Sequence, residues 1–156
     1  MSTGLLVETS LGNIELRLRP DSAPKTVDHI KKLVRDGLYN GCCFYRSDFV
    51  IQCGLQRGDG SSVNNPHSGL NVNETSLNAK ISNRRGTAAV AHWDVPDCGN
   101  SEFFINLQDN AHLDTAYGGY CVFAEVANED SFKVVDAIAS TVPKGQKPLI
   151  KKINII

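Results

Sequence analysis

The first chemical feature of this chain is an arginine set among aromatic and apolar residues, in the run Phe44-Tyr45-Arg46-Ser47-Asp48-Phe49-Val50-Ile51-Gln52-Cys53-Gly54. On a regular strand Arg46 shares a face with Phe44, so its guanidinium must either extend to solvent or serve a pocket. Taken alone it reads as a surface arginine in a weak ion pair. A second run, Asn100-Ser101-Glu102-Phe103-Phe104-Ile105-Asn106-Leu107, follows a strand of small residues, Gly86-Thr87-Ala88-Ala89-Val90-Ala91. Small side chains let another backbone approach closely, which suits tight packing or a peptide groove. A third run, Asn110-Ala111-His112-Leu113-Asp114, leads into Tyr120-Cys121-Val122-Phe123. The common signatures of phosphate loops, zinc helices, nucleophile elbows and dinucleotide turns are missing, and Gly54-Leu55-Gln56-Arg57-Gly58-Asp59-Gly60 reads as a set of turns.

These runs sit in a chain of 156 residues, long enough for one closed core without disulfides or metal. Lysine plus arginine, 16, nearly balances aspartate plus glutamate, 17, so net charge points to neither nucleic acid nor an anionic membrane as partner. The N-terminal residues lack the pattern of a signal peptide, and no apolar run reaches membrane-spanning length. Five cysteines, at 42, 43, 53, 98 and 121, form no C-x-x-C pair or zinc spacing. Free thiols in a reducing compartment, cytoplasmic or nuclear, are the expectation. Cys98 is expected to be the most exposed of them, and the sequon at Asn73-Glu74-Thr75 is read as chance.

With no repeat, low-complexity tract or linker, residues 1–156 are expected to form a single domain. Ile14, Leu16 and Leu18 alternate with polar residues, giving a hairpin with one buried face around Ser10-Leu11-Gly12. A helix follows, capped by Asp21 or Ser22, with Pro24 in its first turn, Val27, Ile30, Leu33 and Val34 inward and Gly37 as terminator. A second begins near Asp130-Ser131, buries Phe132, Val135 and Ile138, and stops before Pro143. Short apolar segments at 43–46, 49–52, 87–91, 103–106, 121–126 and 148–156 complete the pattern. The fold class is mostly β: a closed antiparallel eight-stranded barrel capped by two α-helices.

In this order the runs resemble the cyclophilin family of peptidyl-prolyl cis/trans isomerases. The resemblance covers nearly the whole chain. Its most specific pieces are Phe44-x-Arg46, Phe49-Val50-Ile51-Gln52-x-Gly54, Arg85-Gly86-Thr87, Ser101-x-Phe103-Phe104-Ile105-Asn106 and Leu113-Asp114, worded closer to bacterial-type and short divergent members. It implies a cofactor-free enzyme that acts on X-Pro bonds of proteins or peptides as a monomer. Arg46, Phe49 and Gln52 are the implied catalytic residues, with Arg46 beside the prolyl amide. Val50, Ala91, His92, Glu102, Phe104, His112, Leu113 and Tyr120 are the implied substrate-binding residues.

The departures from the family bear on mechanism. Only Ser47 and Asp48 separate Arg46 from Phe49, a shorter link than the family uses. Val50 stands where methionine is common, and Glu102 stands for glutamine, where it could draw Arg46 into an ion pair. His92 and Trp93 replace asparagine or arginine and a small residue. His112 takes the place of tryptophan or phenylalanine, which is expected to weaken cyclosporin binding, and Tyr120 that of a histidine. Three other readings remain: a proline-binding module of the same fold without strong activity, a hydrolase using Ser101 and His92, and an open ligand-binding barrel of lipocalin type.

Overall fold

A computed structural model describes residues 4–67, 69–70, 73–74, 81–92 and 99–156. Trp93, Cys98 and Thr75 of the sequon lie outside the described residues. Eight strands make one antiparallel sheet: β1 (Gly4–Thr9), β2 (Gly12–Leu18), β3 (Cys42–Ser47), β4 (Val50–Arg57), β5 (Thr87–Val90), β6 (Phe103–Asn106), β7 (Val122–Val126) and β8 (Ile150–Ile155). Their spatial order is β3-β4-β6-β5-β7-β2-β1-β8. The ends of this row meet: a bridge joins Cys43 to Leu149, and the Phe44 N–H donates to Pro148 O at 3.0 Å. The barrel is thus nearly closed, which leaves little edge for another strand to pair with.

Its interior is filled. Phe103 meets Phe123 edge-on at 5.8 Å and Tyr39 at 5.6 Å, and Phe44, Ile51, Ile105 and Leu16 are fully buried around them. This overturns the open-barrel reading. The periodicity of two is kept on β2, where Ile14, Leu16 and Leu18 face inward.

Helix α1 (Pro24–Arg35) buries Val27, Ile30, Leu33 and Val34, and also Thr26 and His29. It ends as the sequence requires: Gly37, at φ 69°, lets its own N–H reach Val34 O and the Leu38 N–H reach Leu33 O. Its start differs. Neither Asp21 nor Ser22 caps it, because the Arg19 guanidinium holds both oxygens of Asp21, and Ser22 Oγ is buried without a partner among the described residues. The cap comes from the long loop instead: buried Glu74 accepts from the backbone N–H of Lys25 and Thr26, at 3.1 and 2.7 Å, and from the Thr26 hydroxyl. A carboxylate there also suits the positive end of the helix dipole.

Helix α2 (Glu129–Thr141) starts one residue earlier than Asp130, because Asn128 accepts the Ser131 N–H at 2.9 Å. Val135 and Ile138 are buried against the barrel, and Phe132 is packed at the edge of the core. Pro143 falls in the 3-10 turn Val142–Lys144 that follows.

Candidate active site

The pleat of β4, β6 and β5 divides its residues between two surfaces. Ile51, Cys53, Phe103, Ile105, Ala88 and Val90 point into the barrel, while Gln52, Phe104 and Ala89 stand in register on the outer face. There Val50, Ala89, Phe104 and Leu113 form a second apolar cluster, separate from the core, with Phe49, Ala91 and Tyr120 packed around it. Of the small-residue strand, Ala88 packs in the core and Ala89 is buried beneath the outer cluster, as the tight-packing reading expects. The cluster lies in a groove of about 820 Å³ that continues past Gln52 and Glu102 to Leu55, Val63, Asn65 and Asn100.

Arg46 does not share a face with Phe44. The β3–β4 register shifts between these two residues, and a bulge turns Arg46 away from buried Phe44. Tyr45 and Arg46, though adjacent, therefore both line the groove. The guanidinium carbon lies 5.4 Å from the centroid of the Phe49 ring. Its Nε donates to Asp48 Oδ2 and its Nη1 to Gln52 Oε1, each at 2.9 Å. No acceptor holds Nη2 among the described residues.

Glu102 does not pair with Arg46, contrary to expectation. Its Oε1 accepts the Tyr45 hydroxyl at 2.6 Å, and its Oε2 accepts from the Leu55 N–H at 3.1 Å and the Ser101 hydroxyl at 2.9 Å. It reaches these donors across Gly54, where any Cβ would overlap the carboxylate. Burial, then the bond to Glu102, push the Tyr45 phenol well above its ordinary range, so it remains a donor. Because a carboxylate only accepts, the Tyr45 O–H must point at Glu102, and the phenol oxygen takes the Gln52 Nε2–H at 3.0 Å. This leaves Gln52 Oε1 for Arg46. Glu102 thus reaches Arg46 through Tyr45 and Gln52.

The other wall is set by the 3-10 turn Ala111–Asp114, which buries Leu113 and leaves His112 on the rim, its ring 5.3 Å from that of Phe49. Asp114 pins the turn by accepting the Asn83 N–H at 2.8 Å and the Ser82 hydroxyl. Burial pushes the Asp114 carboxyl up, but these bonds outweigh it and the net shift is downward. Asn110 donates to Phe49 O at 3.0 Å and to Asn106 Oδ1 at 2.8 Å, tying the Phe49 backbone to β6. Tyr120 stacks on His92 at 4.1 Å and meets Phe104 edge-on at 5.6 Å. The hydrolase reading fails on geometry: the Ser101 hydroxyl is turned onto Glu102, and His92 Nε2 onto Gly119 O at 2.8 Å.

The model of the cyclophilin type peptidyl-prolyl cis-trans isomerase family matches residues 5–156. The chain belongs to this family. Peptidyl-prolyl cis-trans isomerase A of Dickeya dadantii is 36% identical over 151 residues, covering 94% of this cyclophilin and 76% of the relative. Peptidyl-prolyl cis-trans isomerase B of Escherichia coli is 34% identical over 163 residues, covering 95% and 92%. Among solved structures, a cyclophilin type isomerase of Cryptosporidium parvum superposes with a TM-score of 0.77 at 20% identity, over 100% of this chain and 98% of that one. The same protein in the presence of the dipeptide Ala-Pro gives 0.76 at 20% identity, over 98% of each chain.

All eleven residues singled out from the sequence line one groove: Arg46, Phe49, Gln52, Val50, Ala91, His92, Glu102, Phe104, His112, Leu113 and Tyr120. Sequence reasoning missed Tyr45, Asp48, Asn110 and Tyr117. Asp48 had a signal, an acid two residues from Arg46 in a short turn. Tyr117 had its own in the two glycines that follow it: it is 61% exposed on the groove rim with φ 51°, a left-handed conformation unusual for a tyrosine.

Proposed function

We propose that this cyclophilin isomerises X-Pro bonds with the proline ring seated on Val50, Phe104 and Leu113 and the Arg46 guanidinium beside the prolyl amide. The observation that carries this reading is a permanently charged donor, fixed on two sides by Asp48 and Gln52, at the edge of a closed apolar cluster. The planar amide resists rotation by about 18–20 kcal/mol because resonance gives its C–N bond double-bond character. Rotation needs neither a nucleophile nor proton transfer. An apolar surround disfavours the charge-separated planar amide, and a donor aimed at the prolyl nitrogen stabilises the lone pair that appears as the nitrogen pyramidalises. The free Nη2 edge of Arg46 has the chemistry for that role. Phe49 would close the pocket beside it, and Ala91 and His92 would line the path of the substrate backbone.

Proline-containing proteins and peptides are the substrates this site fits, and folding or conformational switching of such proteins is the setting. The free thiols of Cys42, Cys43, Cys53 and Cys121 support a reducing compartment such as the cytoplasm. The test is Arg46→Ala in an isomerase assay on a proline tetrapeptide. Most of kcat/KM should vanish with the thermal midpoint unchanged. Near-native activity would overturn the mechanism.

A further inference from the structure

We propose that Asp48 is a positioning residue for Arg46, and that the short link between Arg46 and Phe49 exists in this chain as an ionic arm for the guanidinium. The inference rests on the role given to Arg46 above. A guanidinium is a rigid plane with five N–H groups. Held only at Nη1 by Gln52, it can swing about that bond. The second anchor, from Nε to Asp48 Oδ2, removes the swing, and together the two fix which edge faces the groove.

Asp48 is itself held. Its N–H donates to Val50 O at 2.9 Å, and its Oδ1 accepts the Val50 N–H at 3.2 Å, so one carboxylate oxygen keeps the turn and the other keeps Arg46. The preceding Ser47 hydroxyl donates to Ala139 O of α2 at 2.8 Å, fastening the link to the helix. The carboxylate side chain is 45% exposed, so it acts through its bonds to Arg46 and Val50 and not through packing.

Asp48→Asn separates the two oxygens. The amide oxygen can still accept from Val50 N, while the amide nitrogen then faces the Arg46 Nε–H, donor against donor. Kinetics on a proline tetrapeptide should show kcat lowered roughly two- to fivefold, the range of a partly exposed ion pair, with KM and thermal midpoint unchanged. In the 15N-labelled parent the bonded Arg46 Nε–H should exchange more slowly than in the Asp48→Asn variant. Asp48→Ala should lower kcat at least as far. In an Arg46→Ala background, which has no cation for Asp48 to hold, Asp48→Asn should leave the residual kcat unchanged. Unchanged or raised kcat in Asp48→Asn would overturn the proposal, as would an equal fractional loss in the Arg46→Ala background. If Arg46→Ala is itself fully active, the reading of the site fails first; if Arg46→Ala is inactive while Asp48→Asn is normal, only the present proposal fails.

Discussion

Tyr45→Phe isolates the path from Glu102 to Arg46. The substitution keeps the ring and removes one oxygen that makes two bonds, a 2.6 Å charge-assisted donation to Glu102 and a 3.0 Å acceptance from Gln52 Nε2. A bond to a charged group contributes about 1.5–3 kcal/mol, and this one is only partly buried, so a stability loss of about 1–2 kcal/mol is expected. For a domain of this size that lowers the thermal midpoint by about 3–6 °C. The Gln52 amide loses the partner that dictates its orientation. It then presents nitrogen as well as oxygen to Arg46, and kcat/KM should fall roughly three- to fivefold, the equivalent of about one hydrogen bond. Thermal melts and the tetrapeptide assay read both effects. A variant that loses stability but keeps full kcat/KM would refute the role of Tyr45 in orienting Gln52, and one that loses neither would refute the whole path.

Gly54→Ala should displace the Glu102 carboxylate from three donors and cost about 2–3 kcal/mol, seen as a lower denaturation midpoint; a variant as stable as the parent would show that Glu102 finds equal partners elsewhere. His29 Nε2–H donates to Asn100 Oδ1 at 2.9 Å, and burial lowers its pKa below the ordinary 6.5, so between that pH and the lowered value the unfolded chain binds the proton and the folded one does not. Stability should therefore fall as pH drops from 7.5 through 6.5 toward the lowered value, and denaturant titrations should show a smaller fall in His29→Gln. His112→Trp should bind cyclosporin at least about tenfold more tightly than the parent, since indole offers a broader apolar face and a fixed donor, while short-peptide kcat/KM changes less than about twofold. Equal affinity in calorimetric titration would mean that His112 does not meet the ligand.

What could be read from the sequence was what neighbouring residues encode. The alternation of Ile14, Leu16 and Leu18 and the helical stripe of Val27, Ile30 and Leu33 depend on spacing within a few positions, and both folded as read. Arg46, Phe49, Phe104 and Leu113 were legible because their motifs travel with them. Features that need two distant segments to meet were not. The Glu74 cap comes from 48 positions beyond Thr26, and two of the three donors to Glu102 come from β3 and β4. The bulge that turns Arg46 away from Phe44 shifts register against β4, and strict alternation misassigned the face of Arg46. Charge alone suggested Arg46 for Glu102; proximity gave that place to Asp48.

The pairing of β1 with β8 has a consequence for how the barrel comes together. Leu5 lies beside Ile155 and Val7 beside Ile153, so the first strand finds one of its neighbours at the far end of the chain. The β1–β2 hairpin and α1 can form from local contacts within microseconds, but the seam cannot close until nearly the whole sequence has been gathered. Chain-spanning contacts of this kind slow folding toward the millisecond-to-second range. In that interval β1 offers an unpaired edge, and the aromatic interior around Phe103 and Phe123 lies open beside it. On this account the protein is most exposed to aggregation before its seam closes, and substitutions in β8 should act first on the yield of folded chains.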